Sequence, residues 1–379
     1  MLRAFALYRK IHRNEDNMTK YDYMRRALEL AEQGMGHTSP NPMVGCVVVK
    51  DGQIVAEGFH ERYGQYHAER NALSRCKEDV TGADLYVTLE PCCHQGKTPP
   101  CTEIIMERGI GRVFVGAMDP NPKVAGKGVA ILKNHGIQVE TGILEKECLE
   151  LNEIFFHYIQ TGLPFIAMKY AMTLDGKIAA FTGDSKWVTG EEAREHVHML
   201  RKKYSAIMVG IGTVLADNPM LNCRIEEGVN PLRIVCDSHL RIPLDCQLVQ
   251  TAGDIPTVVA YASGDEEKQE KLREAGIELI YADEDGRVDF KEVMKQLGEK
   301  GIDSVLIEGG GTLHGTVLKS GMVKRVYCYV APKLIGGKEA KAPVEGEGFP
   351  RMREALEIEA LDILKLGRDI CISGRVKEK

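Results

Sequence analysis

The first half of the chain alternates apolar runs with segments whose apolar residues recur at helical spacing. Such periodicity predicts strands in the short runs and helices in the longer segments. A break at Ser39-Pro40-Asn41-Pro42 precedes a predicted β-hairpin, whose two strands are joined by a turn at Asp51-Gly52. The predicted helices cover residues 21–34, 67–76, 101–108, 129–135 and 145–159, and the predicted strands cover residues 43–49, 54–57, 84–90, 112–117 and 138–141.

The second half repeats this alternation after Thr161-Gly162-Leu163-Pro164, which ends the preceding helix. Strands that alternate with helices indicate an α/β sheet in each half. We expect a boundary at Gly162, with domains at residues 18–162 and 163–379 after an extension at residues 1–17. The second domain has predicted helices at 191–203 and 313–318, and predicted strands at 165–172, 206–209, 233–237, 257–261, 278–281, 304–307, 325–331 and 369–376.

Composition excludes several classes of protein. The formal net charge of −6 over 379 residues, without a cluster of Lys and Arg, argues against nucleic acid as a partner. No apolar run reaches the roughly 18 residues that cross a membrane, so no membrane association is expected. The 11 cysteines are scattered at irregular intervals and several lie inside apolar runs, which indicates reduced thiols and a cytoplasmic location. Residues 1–17 lack the apolar core and cleavage site of a targeting peptide, so we expect a non-essential extension.

One imidazole and two thiols in the first half have the pattern of a catalytic zinc site. His67 is followed two positions later by Glu69, while Cys92 follows a predicted strand and Cys101 begins a predicted helix. Zinc deaminases use one His and two Cys as ligands and a Glu, not itself a ligand, for proton transfer. The three ligands leave a fourth position for water, whose pKa zinc lowers toward about 7. We expect Glu69 to carry the proton to the departing amine.

The choice of the third ligand rests on a weaker argument. Cys93 and His94 lie between the two cysteines and are rival ligands. We favour Cys101, because Pro99 and Pro100 fit a turn into a helix whose positive end would face the metal. A structural zinc or a chance cluster is the alternative interpretation.

Several motifs of the first half resemble those of the RibD family of bifunctional riboflavin-biosynthesis enzymes. They are Gly58-x-His60, Gly64-x-x-His67-Ala68-Glu69 and Pro91-Cys92-x-His94-x-Gly96-Lys97-Thr98-Pro99-Pro100-Cys101. The resemblance implies a cytidine-deaminase-like, three-layer domain that binds zinc, with Asn41 and His94 contacting the substrate. Asn41 could instead only form a turn, and Asp119 and Asn121 are either substrate contacts or turn residues. Cys93 departs from the family, which has a small hydroxyl residue there.

The second half contains two glycine motifs after predicted strands. Gly210-x-Gly212 is weak evidence for a dinucleotide fold, because a third glycine and a following acidic residue are missing. Glu308-Gly309-Gly310-Gly311-Thr312 lies between a strand and a helix, where backbone N–H groups can approach a phosphate. A tight turn without a ligand is the alternative.

Further segments of the second half resemble the reductase half of the same family, whose α/β fold is similar to dihydrofolate reductase. The quoted segments are Thr173-Leu174-Asp175-Gly176-Lys177, Ser185-x-Trp187, Thr213-Val214-Leu215-Ala216-Asp217-Asn218-Pro219, Glu308-Gly309-Gly310 and Ala331-Pro332-Lys333. By this resemblance NADPH contacts Ala171, Trp187, Thr213, Asp217, Gly310, Gly311 and Thr312. The substrate would contact Ser185, Arg201, Leu221, Arg224 and Glu308. Arg201 could otherwise be a solvated residue at a helix end.

The hypothesis from the sequence is a bifunctional enzyme that acts on a small pyrimidine ribosyl phosphate. It would remove an amine with zinc at one site and then reduce the ribosyl group to ribityl with NADPH at a second site of the same chain. We expect the chain to form a homo-oligomer. A nucleobase or nucleic-acid deaminase fused to a nucleotide-binding module is one alternative. A non-catalytic protein with structural zinc is the other.

Overall fold

The computed structural model describes residues 18–377 and divides after Gln160 into two compact units. The predicted extension at residues 1–17 lies outside the described residues. Each unit contains its own sheet and its own buried apolar clusters. The α/β class predicted for both halves is therefore confirmed.

The first unit contains a five-stranded sheet in the order β2-β1-β3-β4-β5. Strands β1 and β2 are antiparallel and form the predicted hairpin, whereas β3, β4 and β5 are parallel to one another. Its helices are α1 (Lys20–Glu32), α2 (Ala68–Arg75), α3 (Cys101–Glu107), α4 (Lys127–Asn134), α5 (Glu145–Leu151) and α6 (Glu153–Thr161). Its strands are β1 (Gly45–Lys50), β2 (Gln53–Phe59), β3 (Asp84–Leu89), β4 (Arg112–Ala117) and β5 (Gln138–Thr141).

Two glycines show how helices cover both faces of this sheet. A Cβ on Gly45 would lie 1.9 Å from the carbonyl oxygen of Ala27 in α1, and a Cβ on Gly58 would lie 2.5 Å from the backbone nitrogen of Ala72 in α2. Gly58 is paired with Cys46, the neighbour of Gly45, so the two glycines face opposite sides of the sheet. The predicted three-layer arrangement is confirmed. Helices α1 and α2 approach the sheet closely because Gly45 and Gly58 have no side chains.

The prediction of a single helix at residues 145–159 is wrong, because the structure has two helices separated at Asn152. The side chain of Asn152, 2 % exposed, accepts a hydrogen bond from the backbone nitrogen of Met43 and donates one to its carbonyl oxygen, both at 2.8 Å. These bonds to a distant segment compete with a continuous helix.

The second unit contains helices α7 (Glu191–Lys203), α8 (Ile211–Asp217), α9 (Gln247–Gln250), α10 (Glu266–Glu274), α11 (Phe290–Glu299) and α12 (Gly311–Ser320). A 3₁₀ helix covers Met352–Glu354. The strands are β6 (Phe165–Thr173), β7 (Ala206–Gly210), β8 (Leu232–Cys236), β9 (Thr257–Tyr261), β10 (Ile277–Tyr281), β11 (Asp283–Glu284), β12 (Arg287–Val288), β13 (Ser304–Ile307), β14 (Val323–Ala331), β15 (Ile358–Leu366) and β16 (Asp369–Val376).

Nine of these strands form one sheet in the order β10-β9-β8-β7-β13-β6-β14-β16-β15. The strands from β10 to β14 in this order are parallel, so their carboxyl ends meet at one edge. Ligands of open α/β sheets bind at this edge. Strand β15 was missed by the sequence prediction, because its apolar residues do not alternate and it is a largely exposed edge strand paired to β16.

Candidate active sites

His67, Cys92 and Cys101 form a compact group in the first unit. One ligand atom from each lies within 4.8 Å of the others. The Nδ1 atom of His67 is 3.4 Å from the Cys92 sulfur and 3.6 Å from the Cys101 sulfur. A tetrahedral zinc with Zn–N near 2.1 Å and Zn–S near 2.3 Å places nitrogen and sulfur about 3.6 Å apart. The three side chains therefore fit a zinc ion without rearrangement.

The secondary structure explains how residues distant in sequence meet here. His67 is the N-cap residue of α2, Cys101 is the first residue of α3, and Cys92 follows the carboxyl end of β3. The backbone nitrogen of Cys101 lies 3.3 Å from the Cys92 sulfur. Hydrogen bonding from Cys101, together with His67, lowers the pKa of the Cys92 thiol to about 4. Cys92 is thus held as the thiolate, the form that binds metal.

Glu69 lies in the first turn of α2, next to this group. It is 3 % exposed, and its Oε2 atom has no hydrogen-bond partner within the described chain. Burial, followed by the charge of Cys92, raises the pKa of this carboxyl. An unpaired, buried carboxyl oxygen beside three metal-ligating atoms suits proton transfer to and from a bound water.

A cavity of about 240 Å³ opens onto these residues. Asn41 and His94, predicted from the resemblance, both line it, and the Nδ2 atom of Asn41 lies 3.4 Å from Nε2 of His60. Asp119 and Asn121 also line the cavity, and burial raises the pKa of Asp119 to about 6. The walls therefore combine apolar, amide, imidazole and carboxyl groups around the predicted zinc ligands.

Cys93 lies outside the metal-ligating group. Its sulfur donates a hydrogen bond to the carbonyl oxygen of Lys123 at 3.8 Å. His94 lines the cavity without belonging to the group. The structure thus brings Cys101, and neither of its two rivals, to His67 and Cys92.

In the second unit, the predicted substrate residues Arg201 and Glu308 are paired. The guanidinium donates two hydrogen bonds of 3.0 Å to the two carboxylate oxygens, and the amine of Lys169 lies 3.5 Å from Oε2. Burial by itself raises the pKa of Glu308, but Arg201 and Lys169 outweigh it and lower that pKa to about 2. Arg201 is therefore not a solvated helix-end residue, contrary to the alternative interpretation.

Most residues predicted to contact NADPH lie at one edge of the sheet. Thr213 and Asp217 are in α8, which follows β7, while Ala171 is near the carboxyl end of β6. Gly310 is the N-cap residue of α12, which follows β13 and begins with Gly311 and Thr312. Strands β7, β13 and β6 are consecutive and parallel, so these segments converge at their carboxyl ends.

Other predicted residues of the second unit have different surroundings. Trp187 is 64 % exposed, and the guanidinium of Arg194 lies 4.7 Å from its ring centroid. Leu221 is buried with a φ of 52°, and the backbone nitrogen of Arg224 donates to His198 at 3.3 Å. The hydroxyl of Thr312 donates to Glu345 at 3.1 Å. Ser185 is partly buried in the loop before α7.

The structure adds cavity residues to which the sequence analysis gave no role. His60 and Lys97 line the cavity, and the amine of Lys97 lies 3.9 Å from the ring centroid of Tyr63. His60 and Lys97 both lie in motifs that resemble those of the RibD family, so the resemblance could have identified them. The sequence leaves Lys169 open as a proton donor of the reductase, with Asp175 and water as the alternatives, and the structure places its amine 3.5 Å from Oε2 of Glu308.

These features define a zinc-binding deaminase domain followed by a reductase domain. Residues 18–117 match the cytidine and deoxycytidylate deaminase zinc-binding region, and residues 164–372 match the RibD C-terminal domain. Among the described residues, no helix is long and apolar enough to cross a membrane.

Relatives and solved structures match nearly the whole chain. The chain is 56% identical to riboflavin biosynthesis protein RibD of Actinobacillus pleuropneumoniae, covering 94% of this chain and 95% of the relative. It is 46% identical to the Bacillus amyloliquefaciens protein of the same name, covering 94% and 96%. The Thermotoga maritima structure of a diaminohydroxyphosphoribosylaminopyrimidine deaminase and 5-amino-6-(5-phosphoribosylamino)uracil reductase has a TM-score of 0.85 at 38% identity, covering 94% and 99%. Acinetobacter baumannii RibD has a TM-score of 0.84 at 38% identity, covering 95% and 99%.

The chain belongs to the RibD family of bifunctional deaminase-reductases of riboflavin biosynthesis. The predicted family, enzyme class and fold are therefore confirmed. A zinc-binding deaminase domain and an NADPH-dependent reductase domain follow from that membership.

Proposed function

We propose that this chain catalyses two consecutive steps on a pyrimidine ribosyl phosphate. The first is deamination of 2,5-diamino-6-ribosylamino-4(3H)-pyrimidinone 5′-phosphate, and the second is reduction of the ribosyl to a ribityl group. The product is 5-amino-6-(5-phosphoribitylamino)uracil. The observation that carries the proposal is the His67, Cys92 and Cys101 group, which lies with Glu69 at one cavity.

In the first unit, His67, Cys92 and Cys101 would hold zinc. When bound, zinc lowers the pKa of a water to about 7 and makes a hydroxide nucleophile available. Glu69 takes up a proton at its free Oε2 atom and delivers it to the amine that leaves as ammonia. Burial, which raises the pKa of Glu69, favours its acting as an acid as well as a base.

The remaining cavity residues would recognise the substrate. Asn41 and the Asp119 carboxylate offer hydrogen bonds to the amino and ring groups of the pyrimidine. His94 and Lys97 line the same cavity, and we assign the phosphate to them because both can donate hydrogen bonds to an anion.

In the second unit, Ala171, Trp187, Thr213, Asp217 and the turn from Gly310 to Thr312 would hold NADPH. When bound, NADPH supplies a hydride for C1′ of the sugar. Arg201, Lys169 and Glu308 form a buried charged cluster that can orient a polar substrate. Ser185, Leu221 and Arg224 are the other proposed substrate contacts.

The decisive experiment supplies the diaminopyrimidinone ribosyl phosphate with and without NADPH while ammonia and NADPH oxidation are followed. Wild-type protein should release ammonia in both cases and oxidise NADPH only after deamination. Glu69→Gln should lower ammonia release by at least about 10²-fold, the scale of general acid–base catalysis. The zinc content of this variant should not change, since Glu69 is outside the ligand group.

Glu103→Gln is the matched control, because Glu103 is exposed on α3 and should leave the rate unchanged. Ammonia release by Glu69→Gln at the wild-type rate would remove the proton-transfer assignment. No ammonia release by the wild-type protein would refute the proposed function itself.

We also propose domain limits at residues 18–162 and 163–379, a homo-oligomer and a cytoplasmic location. Exposed apolar side chains on the second unit, among them Leu174, Phe181 and Leu334, support self-association. The 11 free cysteines suit a reducing compartment. Light scattering of the purified chain tests the homo-oligomer, and fractionation of the source cells tests the cytoplasmic location.

A further inference from the structure

Glu90 is a buried carboxylate that takes no part in the reaction proposed above. It directly follows β3, two positions before Cys92, and is 3 % exposed. It does not belong to the group of metal-ligating atoms. A buried carboxylate is costly unless it is well hydrogen-bonded, so its partners indicate its role.

Its partners are three backbone N–H groups of one neighbouring segment. Oε2 accepts hydrogen bonds from the backbone nitrogen of Gly126 at 2.9 Å and from that of Asp119 at 3.4 Å. Oε1 accepts one from the backbone nitrogen of Val129 at 3.2 Å. These donors span the loop after β4 and the first turn of α4, so one side chain holds both ends of that loop.

The loop held in this way carries Asp119 into the cavity. Asp119 is 8 % exposed, and its Oδ1 atom accepts a hydrogen bond of 2.8 Å from the backbone nitrogen of Asn121. Glu90 is therefore bonded to the backbone of the same residue whose carboxyl lines the cavity. A shift of the loop would displace this carboxyl directly.

The beginning of α4 packs closely against the segment that carries Glu90. A Cβ on Gly128 would lie 2.1 Å from the carbonyl oxygen of Pro91 and 3.3 Å from Oε1 of Glu90. The start of α4 thus lies directly against the segment that connects Glu90 to Cys92. Only glycine at position 128 permits this approach, because any larger residue would force the two segments apart.

We infer that Glu90 is a positioning residue that sets the Asp119 carboxylate for recognition of the pyrimidine. Glu90 also lines the cavity, but both of its carboxylate oxygens accept hydrogen bonds from the loop, so we assign it a role through the backbone of that loop. The inference rests on the proposed function, in which Asp119 contacts the pyrimidine. It predicts a defect in substrate binding with the metal site left intact.

Glu90→Gln tests this inference in the full-length, zinc-loaded protein. The amide keeps the shape of the side chain, but its NH₂ group cannot accept a bond from a backbone N–H, so at least one donor loses its partner. We expect the KM for the diaminopyrimidinone ribosyl phosphate to rise about tenfold, as for loss of one hydrogen bond to a charged group. The kcat should change less than about threefold and the zinc content not at all, because an interaction lost equally in the ground and transition states alters KM alone.

A double-mutant cycle with Asp119→Asn separates positioning from general stability. If Glu90 acts through Asp119, adding Glu90→Gln to Asp119→Asn should raise KM little further. Asp289→Asn is the matched control, because Asp289 also accepts two backbone N–H bonds but caps α11 in the second unit. It should lower stability and leave the deaminase KM unchanged.

Two results would overturn the inference. One is full additivity of the two effects on KM, and the other is an unchanged KM, whether or not folded protein or zinc is lost. If Glu90→Gln yields too little folded protein, Glu90→Asp keeps both acceptor oxygens and allows the same cycle. Absence of ammonia release by the wild type would instead defeat the proposed function, so the two failures are distinguishable.

Discussion

At the scale of single residues, the charged group around Glu308 shows how burial and pairing oppose each other. The side chains of Glu308 and Arg201 are 7% and 12% exposed, and Lys169 is 15% exposed. Desolvation alone would favour the neutral acid, yet two cations keep the carboxylate ionised with a pKa of about 2. A charge held in this way is available to a polar substrate throughout the neutral range.

Arg201→Met should destabilise the second unit in a pH-dependent manner. Breaking a buried pair leaves a poorly compensated carboxylate, so the free energy of unfolding should fall by about 3 kcal/mol near neutral pH. Because the folded-state pKa lies below the ordinary value of 4.5, the pair stabilises fully above that pH and its contribution is lost as the pH falls toward 2. The difference between wild type and variant should therefore shrink in acid, as urea unfolding at a series of pH values would measure.

Arg273→Met is the control, since the Arg273 side chain is 51% exposed and pairs with an exposed Glu270. It should change stability by less than about 0.5 kcal/mol at any pH. A deficit for Arg201→Met that stays constant into the acid range would contradict the assignment of the low pKa to this pair.

At the scale of elements, the packing of helix α2 against the sheet sets the position of the zinc ligand His67. It begins immediately after His67, carries Glu69 in its first turn, and lies against β2 at Gly58. The position of the ligand therefore depends on how closely the helix approaches the strand.

Gly58→Ala should weaken metal binding from outside the ligand group. Its Cβ would lie 2.5 Å from the nitrogen of Ala72 and 2.7 Å from the carbonyl oxygen of Ala68, so α2 must retreat. Zinc affinity should fall about tenfold or more, the scale seen for residues that orient ligands. Competition with a chromophoric chelator measures this, with Gly253→Ala as control because no atom lies within 4 Å of a Cβ there. An unchanged affinity would show that the site does not depend on this contact.

In the second unit, Arg233 connects several elements through uncharged acceptors. It is fully buried, and burial lowers its pKa. Its guanidinium donates to the carbonyl oxygens of Met220, Leu248, Thr251 and Ile255 and to the hydroxyls of Thr251 and Thr257. One side chain thus joins β8 to β9, to the end of α9 and to the loop before Leu221.

Arg233→Met should lower the free energy of unfolding of the second unit by about 3 kcal/mol or more. Several buried carbonyl groups lose their donor, and each unsatisfied group costs about 1–3 kcal/mol. Denaturant unfolding followed by circular dichroism measures the loss. Arg287→Met, at an exposed position on β12, should behave like wild type. A loss below about 1 kcal/mol would mean that water replaces the guanidinium.

At the scale of the whole molecule, the chain contains two units with separate cores. Among the described residues, one buried apolar cluster belongs to the first unit and two belong to the second. The His67, Cys92 and Cys101 group and its cavity are built entirely from the first unit. Loss of the metal should therefore act on one activity only.

Zinc removal by a chelator should abolish ammonia release while sparing the reductase. We expect NADPH oxidation with the deaminated pyrimidine to continue at the untreated rate, because none of the residues proposed for that reaction belongs to the metal group. Added zinc should restore ammonia release. Parallel loss of both activities would show that the reductase depends on the metal-loaded first unit.

The sequence alone predicted most elements and a zinc group of His67, Cys92 and Cys101, with Cys93 and His94 left open as rivals of Cys101. Helix and strand periodicity is a local property, so β4, β5, α7, β9, β13 and β16 have the predicted bounds. The order of His67, Glu69, Cys92 and Cys101 likewise indicated one chemistry, because few arrangements of these residue types serve another purpose.

Only the tertiary structure decided which distant groups are paired. Asn152 interrupts a helix by bonding to Met43, Arg233 bonds to acceptors on several elements, and Glu90 bonds to a loop that follows another strand. Neither hydrophobic pattern nor motif encodes such partners, since each bond depends on how segments far apart along the chain approach in space. The same reason explains the missed edge strand β15, whose conformation follows from pairing with β16 and not from its own residues.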